Sequence, residues 1–150
     1  MPTLATIGFG KKGAERFIEL LREASVSTVI DTRRRPDSPL SGYARQRDLP
    51  FILTTAGIRY EHRPELAPPD QLLDRYRGDK DWGAYERDFD ETVLASVSAQ
   101  RAMEELVRRC RESEIVVLLC SEPTADKCHR RLVAERMREM EPSLQVLHLT

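Results

Sequence analysis

The chain has no long apolar run. The longest strictly apolar stretch, Ile115 to Cys120, is far too short to span a bilayer. No basic-then-apolar leader precedes Leu4, so neither a membrane protein nor a secreted one is expected. Charge of one sign is missing too. Lys and Arg number 24 against 25 Asp and Glu, a formal net charge of −1, so no global field draws the chain to nucleic acid or anionic lipid. Any anion site must be local. Three cysteines cannot all pair within one chain, which excludes a disulfide scaffold and fits a reducing cytoplasm. Gly (7) and Pro (9) are too few for a fibrous or low-complexity chain. What remains, 40% hydrophobic and 33% charged residues over 150 positions, is the composition of one globular domain, residues 1–150, able to bury its own core.

Periodicity alternates along that domain. Leu4 to Ile7 is a short apolar run, and Phe17, Leu20, Leu21 and Ala24 then repeat at helical spacing. Val29 to Asp31 reads as a second strand and residues 33–42 as a loop. A helix over 47–56 with Pro50 in its first turn is closed by Gly57, and Ile58 to His62 alternates as a strand. Two helical stretches, 69–77 and 81–95, form an acidic section read as a solvated helical insertion. Met103, Leu106, Val107 and Cys110 mark a further helix face, with Cys110 as a buried, inert thiol. Ile115 to Cys120 is a buried strand, Leu132 to Met140 a last helix, and Leu144 to Leu149 a fifth strand. Strands alternating with helices predict a three-layer α/β fold, a mainly parallel sheet of about five strands with helices on both faces. There is no internal repeat.

In such a sheet, ligands gather at the carboxyl ends of the strands, and three loops leave strands there. The first, Gly8-Phe9-Gly10-Lys11-Lys12-Gly13, satisfies G-x-G-x-x-G, with Asp31 beyond it at the end of strand two. In a dinucleotide site the glycines admit a pyrophosphate and the acid binds a ribose hydroxyl. The bare motif reads rather as a tight strand–helix turn with solvated lysines. The second loop opens with Asp31-Thr32-Arg33-Arg34-Arg35. Guanidinium forks suit phosphate or carboxylate oxygens, and Arg33 either meets a ligand or merely fastens the loop to Asp31.

The third loop, Cys120 to Arg131, joins a buried strand to a helix that Thr124 or Asp126 can cap, which places Cys128 in its first turn. The helix end, Lys127, His129 and Arg130 all favour a thiolate there, so Cys128 is expected to be the most reactive thiol. Glu122 can act as acid or base. Against these roles stand a packed Cys128 and a capping His129. The spacing of Cys120, Cys128, His129 and His62 is not that of a zinc site, and no metal or cofactor is expected. A reversible Cys120–Cys128 pair is left open by the sequence. Trp82, Tyr85 and Phe89 recur at helical spacing, as core rather than a base-stacking platform. Tyr43 stands in a loop able to approach the site.

Several blocks together resemble a known family. They are Thr6-Ile7-Gly8-Phe9 with Lys11-Lys12, Val29-Ile30-Asp31 with Arg33, Pro64-Glu65-Leu66-Ala67-Pro68, and Leu118-Leu119-Cys120-Ser121-Glu122-Pro123 with Cys128-His129-Arg130-Arg131-Leu132-Val133-Ala134-Glu135. In order and spacing they resemble the family called domain of unknown function 488, in its shorter branch. The resemblance implies a three-layer α/β domain and transfers no catalytic residue. Relatives look like Gly-Phe-Thr-Lys-Lys-Ser in the first loop, so Gly10 and Gly13 are departures and the dinucleotide fingerprint is incidental. Arg34-Arg35-Pro36-Asp37 departs as well, from polar amides.

The expected site is an anion-accepting cleft. Lys11, Asp31, Arg33, Tyr43, His62 and Arg130 bind the ligand, and Cys128, Glu122 and His129 carry any chemistry. The ligand is an anionic small molecule, a nucleotide or a nucleic-acid phosphate. The alternatives are a thiol-dependent enzyme using Cys128, an NAD(P)-type dinucleotide module, and an interaction domain using the acidic helices.

Overall fold

The computed structural model describes residues 1–150. Five strands form one parallel sheet: β1 (Thr3–Gly8), β2 (Thr28–Asp31), β3 (Arg59–His62), β4 (Val116–Cys120) and β5 (Gln145–Leu149). Their order is β3-β2-β4-β1-β5. The helices are α1 (Ala14–Glu23), α2 (Leu49–Thr55), α3 (Asp70–Asp79), α4 (Trp82–Phe89), α5 (Val97–Arg111) and α6 (His129–Met140). The three-layer α/β architecture expected from the alternation is the one observed. No helix is long and apolar enough to cross a membrane.

Strand alternation divides the core in two. Ala5, Ile7, Val29, Val117 and Leu119 face α1 and α2, and pack on Phe17, Leu21, Leu49 and Leu53. Leu4, Ile30, Val116 and Leu118 face the other way, onto α3 to α6. All five residues of β4 are buried, as the centre of a doubly covered parallel sheet requires. The acidic section between β3 and α5 is solvated on its outer face. Its inner residues Leu72, Tyr85 and Phe89, with Val93 and Leu94 from a π-helical turn at Asp90–Leu94, complete the larger core. The aromatic stripe is core as expected: Trp82 stacks on Tyr85 at 4.8 Å, Tyr85 on Phe89 at 6.1 Å, and Phe89 meets the His129 ring at 5.9 Å.

The exposed edge at β3 is held to α5 by charge. Arg109 donates to both carboxylate oxygens of Glu61 (3.0 and 2.7 Å) and of Glu114 (3.0 and 2.7 Å), and Glu114 also accepts from Thr28. Bidentate guanidinium–carboxylate geometry is the strong form of this interaction. These bonds pull the Glu114 carboxyl down to about 2 and lower Glu61 as well, with burial opposing in both. Both carboxyls are depressed by folding, so their contribution is complete above the ordinary carboxylate range and is lost as pH falls through it toward 2. Arg109→Leu leaves the carboxylates without their partner and is expected to cost about 3 kcal/mol at neutral pH. Urea unfolding at a series of pH values should also show the variant losing less stability on acidification than the native chain.

Candidate functional site

The direction of the crossovers marks a candidate position. The chain leaves β2 toward β3 through α2 on one face, and leaves β4 toward β5 through α6 on the opposite face. Two such loops diverge at the carboxyl ends of β2 and β4, the place where sheets of this kind take their ligands. Thr32 and His129 lie there. The Thr32 N–H extends the ladder to the Leu119 carbonyl (3.0 Å), and its hydroxyl donates to the same oxygen (2.8 Å). His129 Nε2 lies 2.9 Å from both the Thr32 carbonyl and the Thr32 hydroxyl oxygen. The carbonyl only accepts and the hydroxyl proton is already committed, so Nε2 carries the ring proton. Nδ1 is then a free acceptor, 3.8 Å from Cys128 Sγ. Burial pushes the His129 pKa down to about 4, with the Thr32 carbonyl opposing, so the imidazole is neutral at neutral pH.

The sheet itself separates the candidate residues into two groups. On the α1/α2 side stand Asp31, Arg33, Tyr43 and His62. The buried Asp31 carboxylate accepts from the Arg33 backbone N–H (3.1 Å), Arg33 Nε (2.9 Å) and Nη2 (2.8 Å), and the Tyr60 hydroxyl (2.5 Å). Arg33 Nη2 also donates to the Ala44 carbonyl at 2.6 Å, and the guanidinium lies over the Phe9 ring, 5.0 Å from its centroid. His62 Nε2 lies 2.6 Å from the Arg33 carbonyl, and the Tyr43 hydroxyl donates to the Lys12 carbonyl at 3.1 Å. Every group here has a protein partner, and the arrangement fastens the second loop to the sheet. The Asp31 oxygens that a ribose hydroxyl would need are already engaged.

The opposite side is different. Arg130, in the first turn of α6, is completely buried. Its Nη1 donates to Cys120 Sγ (2.7 Å) and to the Glu122 carbonyl (2.9 Å), while Nε and Nη2 find no partner in the chain. No carboxylate pairs with it. Burial pulls its pKa down to about 10, with the Glu122 charge opposing, and it stays cationic at neutral pH. Beside it, Thr6 Oγ1 and His148 Nδ1 are 2.7 Å apart, and the sulfurs of Cys120 and Cys128 are in direct contact. Lys12 crosses from the first loop to the Pro123 carbonyl (3.2 Å), and its pKa is lowered by burial and then by the charges of Arg130 and Arg16.

Several expectations change. Helix α6 begins later than the sequence suggests: Cys128 is its N-cap residue, without a side-chain cap bond, and neither Thr124 nor Asp126 caps it. All three thiols are buried, Cys128 being 3% exposed and Cys110 and Cys120 1% each. Burial raises the Cys110 pKa to about 11, in keeping with an inert core thiol. Arg33 and Cys128 stand on opposite sides of the sheet, and what connects their segments is the Thr32–His129 contact. The Glu122 side chain is exposed and bonds to neither; only its backbone oxygen reaches Arg130. Lys11 sits at φ 58°, exposed, and it is Lys12 that meets the third loop. Sequence reasoning missed Thr32, Tyr60, Lys12 and the pairing of Cys120 with Arg130. Only the strand-end positions of Thr32 and Cys120 were available as a signal. No cluster of three or more His, Cys, Asp or Glu side chains is arranged to hold a metal ion.

The first loop's glycines serve packing. A Cβ on Gly8 would lie 1.4 Å from the Glu122 carbonyl oxygen and 3.0 Å from Arg130 Nη1, and one on Gly10 would lie 2.5 Å from the Ser121 oxygen. Gly10 is therefore not incidental to the loop, whereas Gly13 has open space around it.

The molecule is thus a doubly wound α/β domain whose candidate site lies where the loops after β1, β2 and β4 meet. The family model described as domain of unknown function DUF488 matches residues 13–137, and the chain belongs to that family. No curated protein and no solved structure matches it.

Gly8→Ala is expected to cost at least about 3 kcal/mol, because backbone rather than a flexible side chain must move. Gly13→Ser should stay within about 0.5 kcal/mol of the native chain. Chemical denaturation of the two variants checks both values.

Proposed function

We propose that the chain binds the phosphate of a nucleotide or of a nucleic-acid end at the carboxyl edge of its sheet, on the α6 side. The observation that carries this reading is Arg130, a wholly buried guanidinium with two unpartnered nitrogens and no carboxylate. A buried cation without a counter-charge costs several kcal/mol, and a fold keeps such a group where an anion repays the cost. The first turn of α6 adds backbone N–H groups with no side-chain cap to compete for them, and Lys12 adds a second cation across the loop.

The Cys128–His129 pair supports a second reading, thiol-dependent catalysis. A thiol faces an unprotonated ring nitrogen whose other nitrogen is oriented by Thr32, the nucleophile–base–orienter arrangement of covalent enzymes.

The two readings separate on Arg130. Arg130→Met keeps the length of the side chain and removes the charge. If Arg130 is held for a ligand, the variant should be more stable than the native chain by about 1 kcal/mol or more. It should also lose the rise in melting temperature that inorganic phosphate and a nucleoside monophosphate give the native chain. Nucleic-acid binding, measured with a 5′-phosphorylated oligonucleotide, should weaken as salt rises. No phosphate response in the native chain, or an equal one in Arg130→Met, removes the proposal.

A further inference from the structure

We propose that the open edge of β5 is the contact surface between two copies of this chain, which pair antiparallel about a two-fold axis at Leu147 and join their sheets into one of ten strands. This goes beyond phosphate binding and stands whether or not a phosphate binds.

The two edges of the sheet are finished in different ways. An edge strand presents unpaired N–H and C=O groups, and folds that stay single protect it with charge, proline, a bulge or a covering segment. At β3 the protection is charge. Arg59, Glu61 and Arg63 carry ion pairs to Glu114, Arg109 and Glu105 along that edge. Strand β5, at the opposite edge, has no such charge. Its residues Gln145-Val146-Leu147-His148-Leu149 include no Asp, Glu, Lys, Arg or Pro, and its register against β1 runs through all five without a bulge. Val146, Leu147 and Leu149 pack on the core clusters yet are only half-buried, whereas every residue of the central strand is buried.

The ladder decides which groups are free. The Gln145 N–H is bonded to the Pro2 carbonyl. In a parallel pair alternate residues bond to the same neighbour, so Gln145, Leu147 and Leu149 serve β1, and the N–H and C=O of Val146 and His148 point outward. Those four groups are symmetrical about Leu147, and that symmetry selects a second copy as the occupant. A second β5 laid antiparallel sets Val146 of each copy opposite His148 of the other, and each such pair exchanges both of its hydrogen bonds. Leu147 meets its own counterpart on the axis as a non-hydrogen-bonded pair, the closer kind, with the two side chains side by side on the α1 face. Gln145 falls opposite Leu149, so no like charges are opposed. One patch used twice satisfies every outward group on both strands, the isologous pattern of two-fold dimers.

The test uses the full chain. Sedimentation velocity over a rising concentration series should show a monomer–dimer equilibrium. Val146→Pro takes away one outward N–H per strand and leaves every bond to β1 in place. Losing two of the four interchain hydrogen bonds should weaken dimerisation by about tenfold or more. Leu147→Cys should cross-link two copies on mild oxidation, because a non-hydrogen-bonded pair holds its Cα atoms about 4.5 Å apart, within disulfide range. Leu149→Cys should not cross-link, and the native chain, its three cysteines buried, is the blank. Circular dichroism checks the fold of each variant, and the cross-link decides the matter should Val146→Pro not fold. A chain that stays monomeric at every concentration overturns the proposal. So does a dimer that folded Val146→Pro leaves unchanged, or one that links through Leu149→Cys as fast as through Leu147→Cys.

Discussion

The carboxyl end of the sheet is organised by two backbones passing at contact distance. Beyond β1 and β4 the ladder continues irregularly, with the Phe9 N–H bonded to the Cys120 carbonyl and the Gly10 N–H to the Ser121 carbonyl. The approach leaves no room for a side chain on Gly8, where even a methyl group would fall on the Glu122 carbonyl. From this crossing follow the positions of the functional groups. The Glu122 oxygen is presented to Arg130, the Pro123 oxygen to Lys12, and the guanidinium comes within 3.0 Å of where a Gly8 Cβ would stand. Glycine here serves a close approach of chain to chain, the same property that in other folds admits a pyrophosphate.

The two sides of the sheet handle charge in opposite ways. On the α1/α2 side the Asp31 carboxylate and the Arg33 guanidinium satisfy one another, with Tyr60, Ala44 and Ser41 taking up what is left. A network in which each member is partnered is rigid. On the α6 side the Arg130 guanidinium is buried more deeply and left with a sulfur and one carbonyl. The rigid side sets the loop geometry, and through Thr32 and His129 it fixes the end of α6 on the other side.

Much of the architecture was legible because periodicity and burial have the same cause. Val29 and Ile30, or Leu118 and Leu119, face opposite layers, and a strand buried on both faces has to be apolar throughout. The site was legible only in part. That Asp31, Arg33, Cys128 and His129 stand at strand ends follows from chain order, but which side of the sheet each one faces depends on parity beyond the last ladder residue. Parity fails where loops turn, and so Lys11 was preferred to Lys12, which the left-handed residue before it turns toward Pro123. The start of α6 was misplaced for a related reason. Thr124 and Asp126 are good caps by type, but a loop long enough to pass over the β1 crossing delays the helix until Cys128. The isolation of Arg130 could not be read at all, since it consists in what no other segment supplies.

The strand order also dictates when this protein can fold. Strands β1 and β2 are consecutive in the chain yet never touch; β4 lies between them and pairs with both. During synthesis the first half of the chain can form β2 against β3 and nothing more of the sheet. Until residues 116–120 emerge, β1 has no neighbour and the inner edge of β2 stays open. Both are apolar strands of the sort that pair with other chains. The central strand, β4, is therefore the keystone, inserted late between two strands that wait for it. It is a topology of high sequence separation and hence of slow closure.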